Sequence, residues 1–427
     1  MKVLWFVNIC FPEVSKDFGL SEINRGGWLL GLKNNLIKQE NLELIVGFPI
    51  FKLDSLKKVE KNNCTFYGIP SSGIINDIDL SMKDFLKEML LIEKPDVIHL
   101  HGTEFPHIFL LTEICKELNI IDKVVISIQG LVSVYAKHYR ANLPEKIVNR
   151  KTIVDYKNKT SIKETINNLV KRGVFEIEAI LNVSHVIGRT DWDKACSTII
   201  NPNVNYHFCN ETLRDVFYEK VWDYEDIEKH SIFVSQANTP IKGLHFLLEA
   251  LPIILKQYPN TKLYIAGGSL IGDNSFVSKL KLSSYDKYIR DLINNNDLKD
   301  KVIFTGNLNE LEMCSRFLKS NVFVSSSTIE NSPNSVGEAM LLGVPVISSD
   351  VGGVKNMMVH NEEGFIYQHD APYMLAYYIM QIFDNKELAK TFSENSKKKA
   401  IITHNKKINS CKMVEIYREI ISKNNPE

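Results

Sequence analysis

The sequence lacks the features that mark several classes of protein. Its seven cysteines are scattered, with no CxxC pair and no Cys/His cluster at zinc-ligand spacing, so they are interpreted as reduced thiols of a cytosolic protein. Lysine plus arginine equals aspartate plus glutamate at 51 each, which leaves no net charge to draw the chain to nucleic acid. No apolar run approaches the ~18 residues of a membrane-spanning helix. Repeats and low-complexity segments are absent. We expect a cytoplasmic protein without a nucleic-acid partner.

The apolar start MKVLWFVNIC is short, and Asn8 interrupts it before the charged residues Glu13, Lys16 and Asp17. It is therefore interpreted as a first β-strand rather than a signal peptide. The 427 residues are 44% hydrophobic and 24% charged, which is ordinary for a globular protein and sufficient for two domains with substantial cores.

Strand-like and helix-like patterns alternate along the chain, which predicts an α/β fold of two doubly wound, Rossmann-like domains facing a cleft. A polar, aromatic stretch at 201–230 separates the two series. The predicted domains are 1–205 and 206–400, followed by a C-terminal helix in 401–427 that either crosses back onto the first domain or stands in solvent. The predicted strands are 2–9, 42–48, 96–100, 123–128 and 184–188, then 231–235, 262–268, 301–306, 321–325 and 344–348.

The most informative segment is ENSPNSVGEAMLLGVPVISSDVGGV, which begins at Glu330. An apolar strand precedes it, EAMLL favours a helix, and Gly343 ends that helix before the next strand. Glu330 therefore lies near the carboxyl end of a parallel strand, where helix N–H groups suit a phosphate and sugar hydroxyls. Two structural alternatives stay open: Glu330 is a solvated loop residue, or Glu338 forms a capping box with Ser335.

The pattern of Glu330, seven residues, Glu338-Ala, then Gly-x-Pro-Val-Ile resembles the signature of family 4 retaining glycosyltransferases, which use nucleotide sugars. The resemblance covers essentially the whole chain and implies the B-type glycosyltransferase fold. It implies that Glu330 holds hydroxyls of the donor sugar and that Glu338 holds the ribose. The segments 188–194, 211–218 and 235–245 also resemble bacterial members of this family that take part in surface polysaccharide assembly.

The resemblance implies a diphosphate site at Lys242 and Gly243, since a cation pairs with phosphate and glycine allows close approach. Family members typically have an arginine six residues before this lysine, whereas this chain has Gln236, which donates hydrogen bonds but cannot neutralise charge. Arg189 is the candidate replacement, and a structural ion pair is the alternative for it.

Further donor contacts are expected from Gly306 and Asn307, which lie in the loop TGNL (305–308) after the strand residues KVIF and are placed beside the nucleobase by the resemblance. Asn334 and Ser335 are expected to offer backbone N–H groups. A plain turn is the alternative at 305–308. The GGV at 352–354 is interpreted as a helix start rather than a contact.

On the acceptor side, Gly26 and Gly27 open a helix and allow close approach of a ligand, although a tight turn explains them equally well. His101 ends a strand and is predicted to face the cleft, whereas its neighbour His99 is expected in the core. Family relatives commonly have a histidine at the position of Gln129. Glutamine can hold a sugar hydroxyl but cannot act as a general acid or base.

The stretch 137–172 contains ten cationic residues and three acidic ones, an excess of +7 in a chain of zero net charge. It predicts peripheral docking on an anionic membrane that presents a lipid-linked acceptor. A solvated face is the alternative. The cations are Lys137, Arg140, Lys146, Arg150, Lys151, Lys157, Lys159, Lys163, Lys171 and Arg172.

Together these features predict a retaining hexosyltransferase that moves a sugar from a UDP- or GDP-sugar to a glycan or lipid-linked saccharide in surface polysaccharide biosynthesis. Predicted catalytic residues are Glu330, Lys242, Gln129 and His101. The Asp-x-Asp motifs at 191–193 and 77–79 formally match the metal motif of A-type enzymes, but two wound halves disagree with that fold, and we expect no metal cofactor. A nucleotide-sugar epimerase of the same fold and a non-catalytic pseudo-glycosyltransferase remain alternatives.

Overall fold

The computed structural model describes residues 1–21, 27–270 and 280–424, which form two compact α/β units. Unit 1 comprises Met1–Ala136, Asn168–Leu213 and His404–Glu427. Unit 2 comprises Lys137–Asn167 and Arg214–Thr403. The predicted first domain of residues 1–205 differs from unit 1 because Lys137–Asn167 belongs to unit 2. Within unit 2, Asp155 of this segment accepts a hydrogen bond from the backbone N–H of Ser284.

The sheet of unit 1 has the order β3-β4-β2-β1-β5-β6-β7-β8 and is parallel except for the antiparallel β3–β4 pair. Its central strands β5 and β6 are buried throughout and mostly apolar, as expected when helices cover both faces. The strands are β1 (Lys2–Phe6), β2 (Glu43–Phe51), β3 (Lys57–Lys61), β4 (Cys64–Ser71), β5 (Val97–His101), β6 (Val124–Ser127), β7 (His185–Gly188) and β8 (Asn205–Phe208).

The sheet of unit 2 is parallel, with the order β11-β10-β9-β12-β13-β14. Neighbouring parallel strands end at the same edge of the sheet, so the loops that follow β9 and β12 lie side by side. The strands are β9 (Glu228–Val234), β10 (Lys262–Ile265), β11 (Val302–Phe304), β12 (Ser320–Ser325), β13 (Val346–Ser349) and β14 (Gly364–Tyr367).

The helices alternate with the strands along the chain, and none in the described ranges is both long and apolar enough to cross a membrane. They are α1 (Gly27–Leu36), α2 (Lys83–Glu93), α3 (His107–Glu117), α4 (Val132–His138), α5 (Glu145–Val148), α6 (Ile153–Asn158), α7 (Ile162–Asn182), α8 (Asp191–Ile200), α9 (Val216–Glu219), α10 (Leu244–Leu255), α11 (Ser284–Asn295), α12 (Glu310–Leu318), α13 (Asn334–Leu342), α14 (Val354–Met357), α15 (Pro372–Asp384), α16 (Lys386–Thr403) and α17 (Lys406–Asn424).

The C-terminal helix α17 belongs to unit 1, where Tyr417 is fully buried. The Tyr417 hydroxyl accepts a hydrogen bond from Trp5 Nε1 at 2.9 Å and lies 2.7 Å from His99 Nδ1. A buried hydroxyl needs such partners because water cannot reach it. The helix therefore completes the core that β1 and β5 begin.

Candidate functional site

The site begins at the carboxyl end of β12, a strand whose six residues are all buried at the centre of the unit 2 sheet. The hydroxyl residues Ser326–Thr328 follow it in a buried loop that leads to Pro333 and helix α13. Gly343 ends that helix in the left-handed conformation, with φ of 80°. The strand, loop and helix therefore form as the sequence predicts, with Glu330 in the loop and Glu338 inside the helix.

Glu330 is buried, and its carboxylate contacts its own loop and the neighbouring loop after β9. Its Oε1 lies 2.6 Å from Lys242 Nζ, and Ser327 Oγ donates to the same oxygen at 2.7 Å. Lys242 stands in the loop between β9 and α10, so the two side chains converge from adjacent strands. The solvated-loop alternative for Glu330 is wrong, because only 8% of the residue is exposed.

Two glycines allow the backbone to pass close to this site. Gly243 has φ of 67°, and a Cβ there would lie 1.8 Å from the carbonyl oxygen of Ser326. Gly352 has φ of 51°, and its Cβ would lie 1.7 Å from the carbonyl oxygen of Glu330. The N–H of Gly353 donates to that carbonyl at 3.1 Å, and Gly353 also precedes α14. The GGV segment is therefore a helix start that in addition holds the Glu330 loop.

Glu338 is buried in α13 and forms a two-pronged ion pair with Arg214. Arg214 Nε and Nη2 each donate to one carboxylate oxygen at 2.7 Å, and the guanidinium carbon lies 4.6 Å from the Phe217 ring centre. The capping-box alternative for Glu338 is wrong, because Pro333 is the N-cap of α13 and makes no side-chain cap. Burial raises the pKa of the Glu338 carboxyl, and Arg214 opposes that shift.

Sequence reasoning did not single out Arg214. Its partner lies 124 residues away along the chain, so no local spacing connects them. The only signal was its position in the segment ETLRDVFY, which carries the family resemblance without stating a role for any residue.

The remaining predicted donor residues lie at the same sheet edge of unit 2. Gln236 follows β9 and is exposed, whereas Gly306 and the exposed Asn307 follow β11. Gly306 has φ of 78° and open space where a Cβ would stand, so a ligand can approach it. Asn334 and Ser335 are the first residues of α13, whose backbone N–H groups have no acceptor within the helix.

The predicted acceptor-side residues belong to unit 1. His101 ends β5, where it is buried against Trp5 and Trp28, with its ring centre 3.8 Å from that of His99. His99 is bound by Tyr417 and by Ser127, as a core residue should be. Neither ring nitrogen of His101 has a hydrogen-bond partner among residues 1–21, 27–270 and 280–424. Burial, together with His99, lowers the pKa of His101 well below its usual value, so the ring is neutral.

Arg189 follows β7 in unit 1 and is buried beside Glu211, with Nη1 3.1 Å from Oε1. The same Nη1 donates to the carbonyl oxygen of Ile128. These partners are those of a structural ion pair, which was the alternative to a role as replacement for the missing arginine. Gln129 is half-buried in the loop after β6.

Gly27 is the first residue of α1, as predicted, whereas Gly26 lies outside the described residues. The helix that follows is close-packed: a Cβ on Gly31 would lie 3.2 Å from the carbonyl oxygen of Leu213.

Both Asp-x-Asp segments have structural uses. Asp193 forms the capping box of α8 with Thr190 and accepts from the Tyr206 hydroxyl at 2.6 Å. Asp79 accepts hydrogen bonds from Ser71 and Ser72, and Asp77 pairs with Lys171 at 2.5 Å. Across the described ranges, no group of three or more His, Cys, Asp or Glu side chains is arranged to hold a metal ion.

Comparison with known proteins shows which families this chain is similar to. Residues 220–399 match the model of the family described as glycosyl transferases group 1. The chain is 31% identical over 183 residues to the putative glycosyltransferase YtcC of Bacillus subtilis, covering 42% of each chain. It is 29% identical over 158 residues to the capsular polysaccharide biosynthesis glycosyltransferase CapM of Staphylococcus aureus, covering 37% of this chain and 38% of CapM. The match thus spans about two fifths of the length of these curated relatives.

Solved structures share the fold over the whole chain. A sucrose-phosphate synthase from Thermosynechococcus elongatus matches with a TM-score of 0.71 and 16% identity, covering 99% of both chains. The structure of Anabaena HepE with UDP-glucose matches with a TM-score of 0.65 and 14% identity, covering 97% of this chain and all of that one. The prediction of a B-type glycosyltransferase fold with two Rossmann-like domains is confirmed.

Proposed function

We propose that the chain, whose residues 220–399 match the family model of glycosyl transferases group 1, is a retaining glycosyltransferase that uses a nucleotide sugar. The observation that carries the proposal is the convergence of Glu330, Lys242 and the first turn of α13 at the carboxyl edge of the unit 2 sheet. A cation and unpaired helix N–H groups suit a diphosphate, and a buried carboxylate suits sugar hydroxyls. The structure of HepE with UDP-glucose, at 14% identity, supports a UDP-sugar as the first donor to test.

Each residue has a stated task in this proposal. Lys242 neutralises the departing diphosphate as the bond between the anomeric carbon and the phosphate oxygen breaks, with the electron pair moving to that oxygen. Glu330 orients the sugar through its hydroxyls. The acceptor oxygen bonds to the same face of the anomeric carbon, and its proton passes to the leaving phosphate oxygen. Such a reaction keeps the anomeric configuration and asks no protein side chain to act as the general base.

The first experiment is a thermal-shift panel with UDP-, GDP-, ADP- and dTDP-sugars on the full chain. A bound donor raises the unfolding temperature by mass action, corresponding to about 2.7 kcal/mol at 100 times Kd. Glu330→Gln and Lys242→Met should abolish the shift. The matched controls are Glu225→Gln and Lys386→Met, which alter an exposed ion pair of unit 2. Equal shifts in Glu330→Gln and in the wild type would overturn the assignment.

Stereochemistry and metal dependence are tested with the donor that this panel finds. We propose retention, so NMR of the product should show the anomeric configuration of the donor. We also propose that transfer needs no metal, because Lys242 and the α13 N-terminus supply the positive charge. Loss of transfer with a chelator, followed by recovery with manganese, would contradict that part.

The acceptor proposed is a glycan or lipid-linked saccharide of surface polysaccharide biosynthesis, carried out in the cytoplasm. CapM, a relative over 38% of its length, is named for capsular polysaccharide biosynthesis and supports this choice. Incubation of the donor with lipid-linked and free saccharide primers should give product only with the correct class. Conversion of the donor without any acceptor would instead indicate an epimerase.

Gln129 and Gln236 favour one further candidate, a protein that binds the nucleotide sugar without transferring it. Both replace residues that carry charge in family members, and an amide neither neutralises charge nor transfers protons. Donor binding without turnover against the full primer set would support this candidate. A Gln236→Arg variant that gains transfer would locate the deficit at the diphosphate.

Docking on an anionic membrane surface is proposed for the segment around α6. Ile153 and Tyr156 are 66% and 75% exposed, and Lys151 lies 5.1 Å from the Tyr156 ring centre. Of the ten cations in 137–172, Arg150 and Lys171 pair with aspartates outside the stretch, which reduces the local excess. Apolar side chains among the remaining lysines suit an anionic bilayer surface.

Co-sedimentation with vesicles tests the docking. Binding should be stronger to phosphatidylglycerol vesicles than to phosphatidylcholine vesicles and should weaken at high salt concentration. Ile153→Ser/Tyr156→Ser should reduce it, whereas an exposed apolar control in unit 2, Tyr373→Ser, should not. Binding that ignores lipid charge would argue against this surface.

A further inference from the structure

A cavity of unit 2 lies beside the loop that carries Glu330. Its volume is about 350 Å³, and its lining includes Lys137, His138, Arg140, Asn142, Thr328 and His369. Thr328 lies in the same buried loop as Glu330, two residues earlier. The cavity is therefore a neighbour of the proposed donor site rather than part of it.

The lining is unusually cationic for a chain without net charge. Lys137 has no ion pair within the described part of the chain, and Arg140 pairs with the exposed Glu145 at 2.7 Å. Burial lowers the pKa of His138, and His369 and Lys137 lower it further, which reflects mutual repulsion of positive charge.

The acidic residue nearest in sequence to His369 is already engaged. Asp370 accepts hydrogen bonds from Asn142 at 3.2 Å and from Gln368 at 2.6 Å. Those bonds hold the carboxylate between its own loop and Asn142, but both donors are neutral amides, so Asp370 keeps its negative charge beside His369. Lys137, which has no ion pair within the described residues, and Arg140, whose partner Glu145 is exposed, are the cations available to an anionic ligand.

Buried groups of unit 2 hold the cationic segment in place. His245 Nε2 lies 2.8 Å from the carbonyl oxygen of Ala141, and Thr328 Oγ1 donates to the carbonyl oxygen of His138 at 3.3 Å. Ala141 and Asn142 both have positive φ, at 49° and 54°, which fixes a sharp bend after α4. Because hydrogen bonds to two carbonyl oxygens fix this bend, the backbone that carries Lys137 and Arg140 has a defined conformation.

We propose that this cavity binds the phosphate or carboxylate group of an anionic acceptor saccharide. Lysine and arginine form charge-assisted hydrogen bonds with both groups, and the volume accommodates one sugar with its anionic substituent. The link to an acceptor rests on the proposed glycosyltransferase function, because Glu330 of the same loop is the proposed sugar ligand. The binding of an oxyanion in this cavity does not depend on that proposed function.

Calorimetry on the full chain tests the cavity with four probes: inorganic phosphate, glucose 6-phosphate, glucuronate and neutral glucose. The anionic sugars should bind in competition with salt, and glucose should not. Tighter binding of glucose 6-phosphate would indicate a phosphate ligand, and tighter binding of glucuronate would indicate a carboxylate ligand. Lys137→Ala/Arg140→Ala should weaken binding by more than about 100-fold, as expected for the loss of two charge-assisted bonds. Lys299→Ala/Lys398→Ala, which removes the same charge from exposed positions of unit 2, should bind as the wild type does.

A Lys242→Met background separates this cavity from the donor site. Binding that persists in Lys242→Met and disappears in Lys137→Ala/Arg140→Ala supports the cavity. Binding that disappears in Lys242→Met and persists in Lys137→Ala/Arg140→Ala overturns the proposal. Equal binding of neutral glucose also overturns it. The thermal shift by the donor should be unchanged in Lys137→Ala/Arg140→Ala, so failure of the cavity and failure of the glycosyltransferase proposal give different results.

Discussion

At the scale of single residues, the contacts of Glu338 show how a carboxylate is kept in a buried helix. Its two oxygens are both engaged by Arg214, whose guanidinium also packs on Phe217. A carboxylate has further lone pairs, so a ribose can share it with the arginine. Arg214 is therefore a positioning residue for Glu338 rather than a group that must leave before the nucleotide enters.

Removal of that arginine should be costly in a pH-dependent way. Arg214→Met leaves a buried carboxylate without its partner, which we expect to lower the free energy of unfolding by about 3 kcal/mol at pH 8. The pKa of Glu338 is already raised by burial and will rise further in the variant. A carboxyl with a raised folded-state pKa is most stable in its protonated form, so the deficit should shrink as the pH falls towards 5.

Urea denaturation at both pH values measures this effect. Arg214→Met/Glu338→Gln should recover part of the loss at pH 8, because the remaining amide is neutral. A deficit that stays constant between pH 8 and pH 5 would show that packing on Phe217, and not the charge, is what Arg214 contributes.

The glycines of unit 2 allow a matched comparison of space and backbone conformation. Gly243 and Gly306 share a left-handed φ, but only at Gly243 would an added Cβ meet a carbonyl oxygen, at 1.8 Å. Gly306→Ala should cost about 1 kcal/mol for conformation alone, whereas Gly243→Ala should cost several times more because Ser326 must move. Unfolding free energies measure both, and equal costs would contradict the close approach.

At the scale of elements, the apolar strands and the helix α13 follow directly from sequence pattern. KVLWF, DVIHL and NVFVS carry apolar runs bounded by polar residues, and β1, β5 and β12 formed within one or two residues of the predicted limits, except that β1 ends at Phe6. Four strands were not predicted, namely β3, β4, β8 and β14, and the first two have physical reasons. KKVEK of β3 is charged because it is a sheet edge, and CTFYGIPS of β4 contains glycine and proline.

The candidate site likewise contains residues that the sequence predicts and residues that it does not. Glu330 and Lys242 were predicted from a motif and meet at 2.6 Å, because both follow adjacent parallel strands. Arg214 and the cavity at Lys137 were beyond prediction, since each depends on segments distant in sequence. Asn142 and Asp370, for example, are 228 residues apart.

The helix α17 should contribute to the stability of unit 1 through one hydroxyl. Tyr417→Phe removes the acceptor for Trp5 Nε1 and a partner of His99 in a buried site. We expect a loss of about 1–3 kcal/mol of unfolding free energy, because a buried donor is left unpaired. Tyr373→Phe, at an exposed tyrosine of α15, should change it by less than about 0.5 kcal/mol in the same urea titration.

At the scale of the whole molecule, the two units should differ in their response to acid. Burial lowers the pKa of His99 to about 3 and of His107, His185 and His404 to about 4, and all four belong to unit 1. In unit 2, burial lowers the pKa values of His138, His230 and His245, that of His245 to about 4. Burial also raises the pKa values of Glu249, Asp286 and Glu338, so the two sets of groups act in opposite directions.

A histidine whose folded-state pKa is depressed lowers the free energy of unfolding as the pH falls, because the unfolded chain takes up a proton that the folded chain does not. This loss begins below pH ~6.5. Each such group costs about 2 kcal/mol at pH 5. Glu104 and Glu176 act the other way, because burial raises their pKa values, that of Glu104 to about 7, but the histidines of unit 1 with lowered pKa values outnumber them. Unit 1 should therefore open first on acidification from pH 7 to pH 5.

Hydrogen exchange followed by mass spectrometry resolves the units by their peptides. Protection in β1, β5 and α17 should fall more steeply with decreasing pH than protection in β9 and β12, after correction for intrinsic exchange rates. A steeper fall in unit 2 would contradict this account.

The division of unit 1 into three chain segments has a consequence for biosynthesis. Its last segment, which carries Tyr417, is translated only after residues 214–403 of unit 2 have been synthesised. Trp5 and His99 therefore lack their buried hydroxyl partner until a residue 318 positions after His99 has been added to the nascent chain. A premature stop codon near residue 403 would spare every segment of unit 2 and still leave the first-made half of the protein as a target for chaperones and proteases.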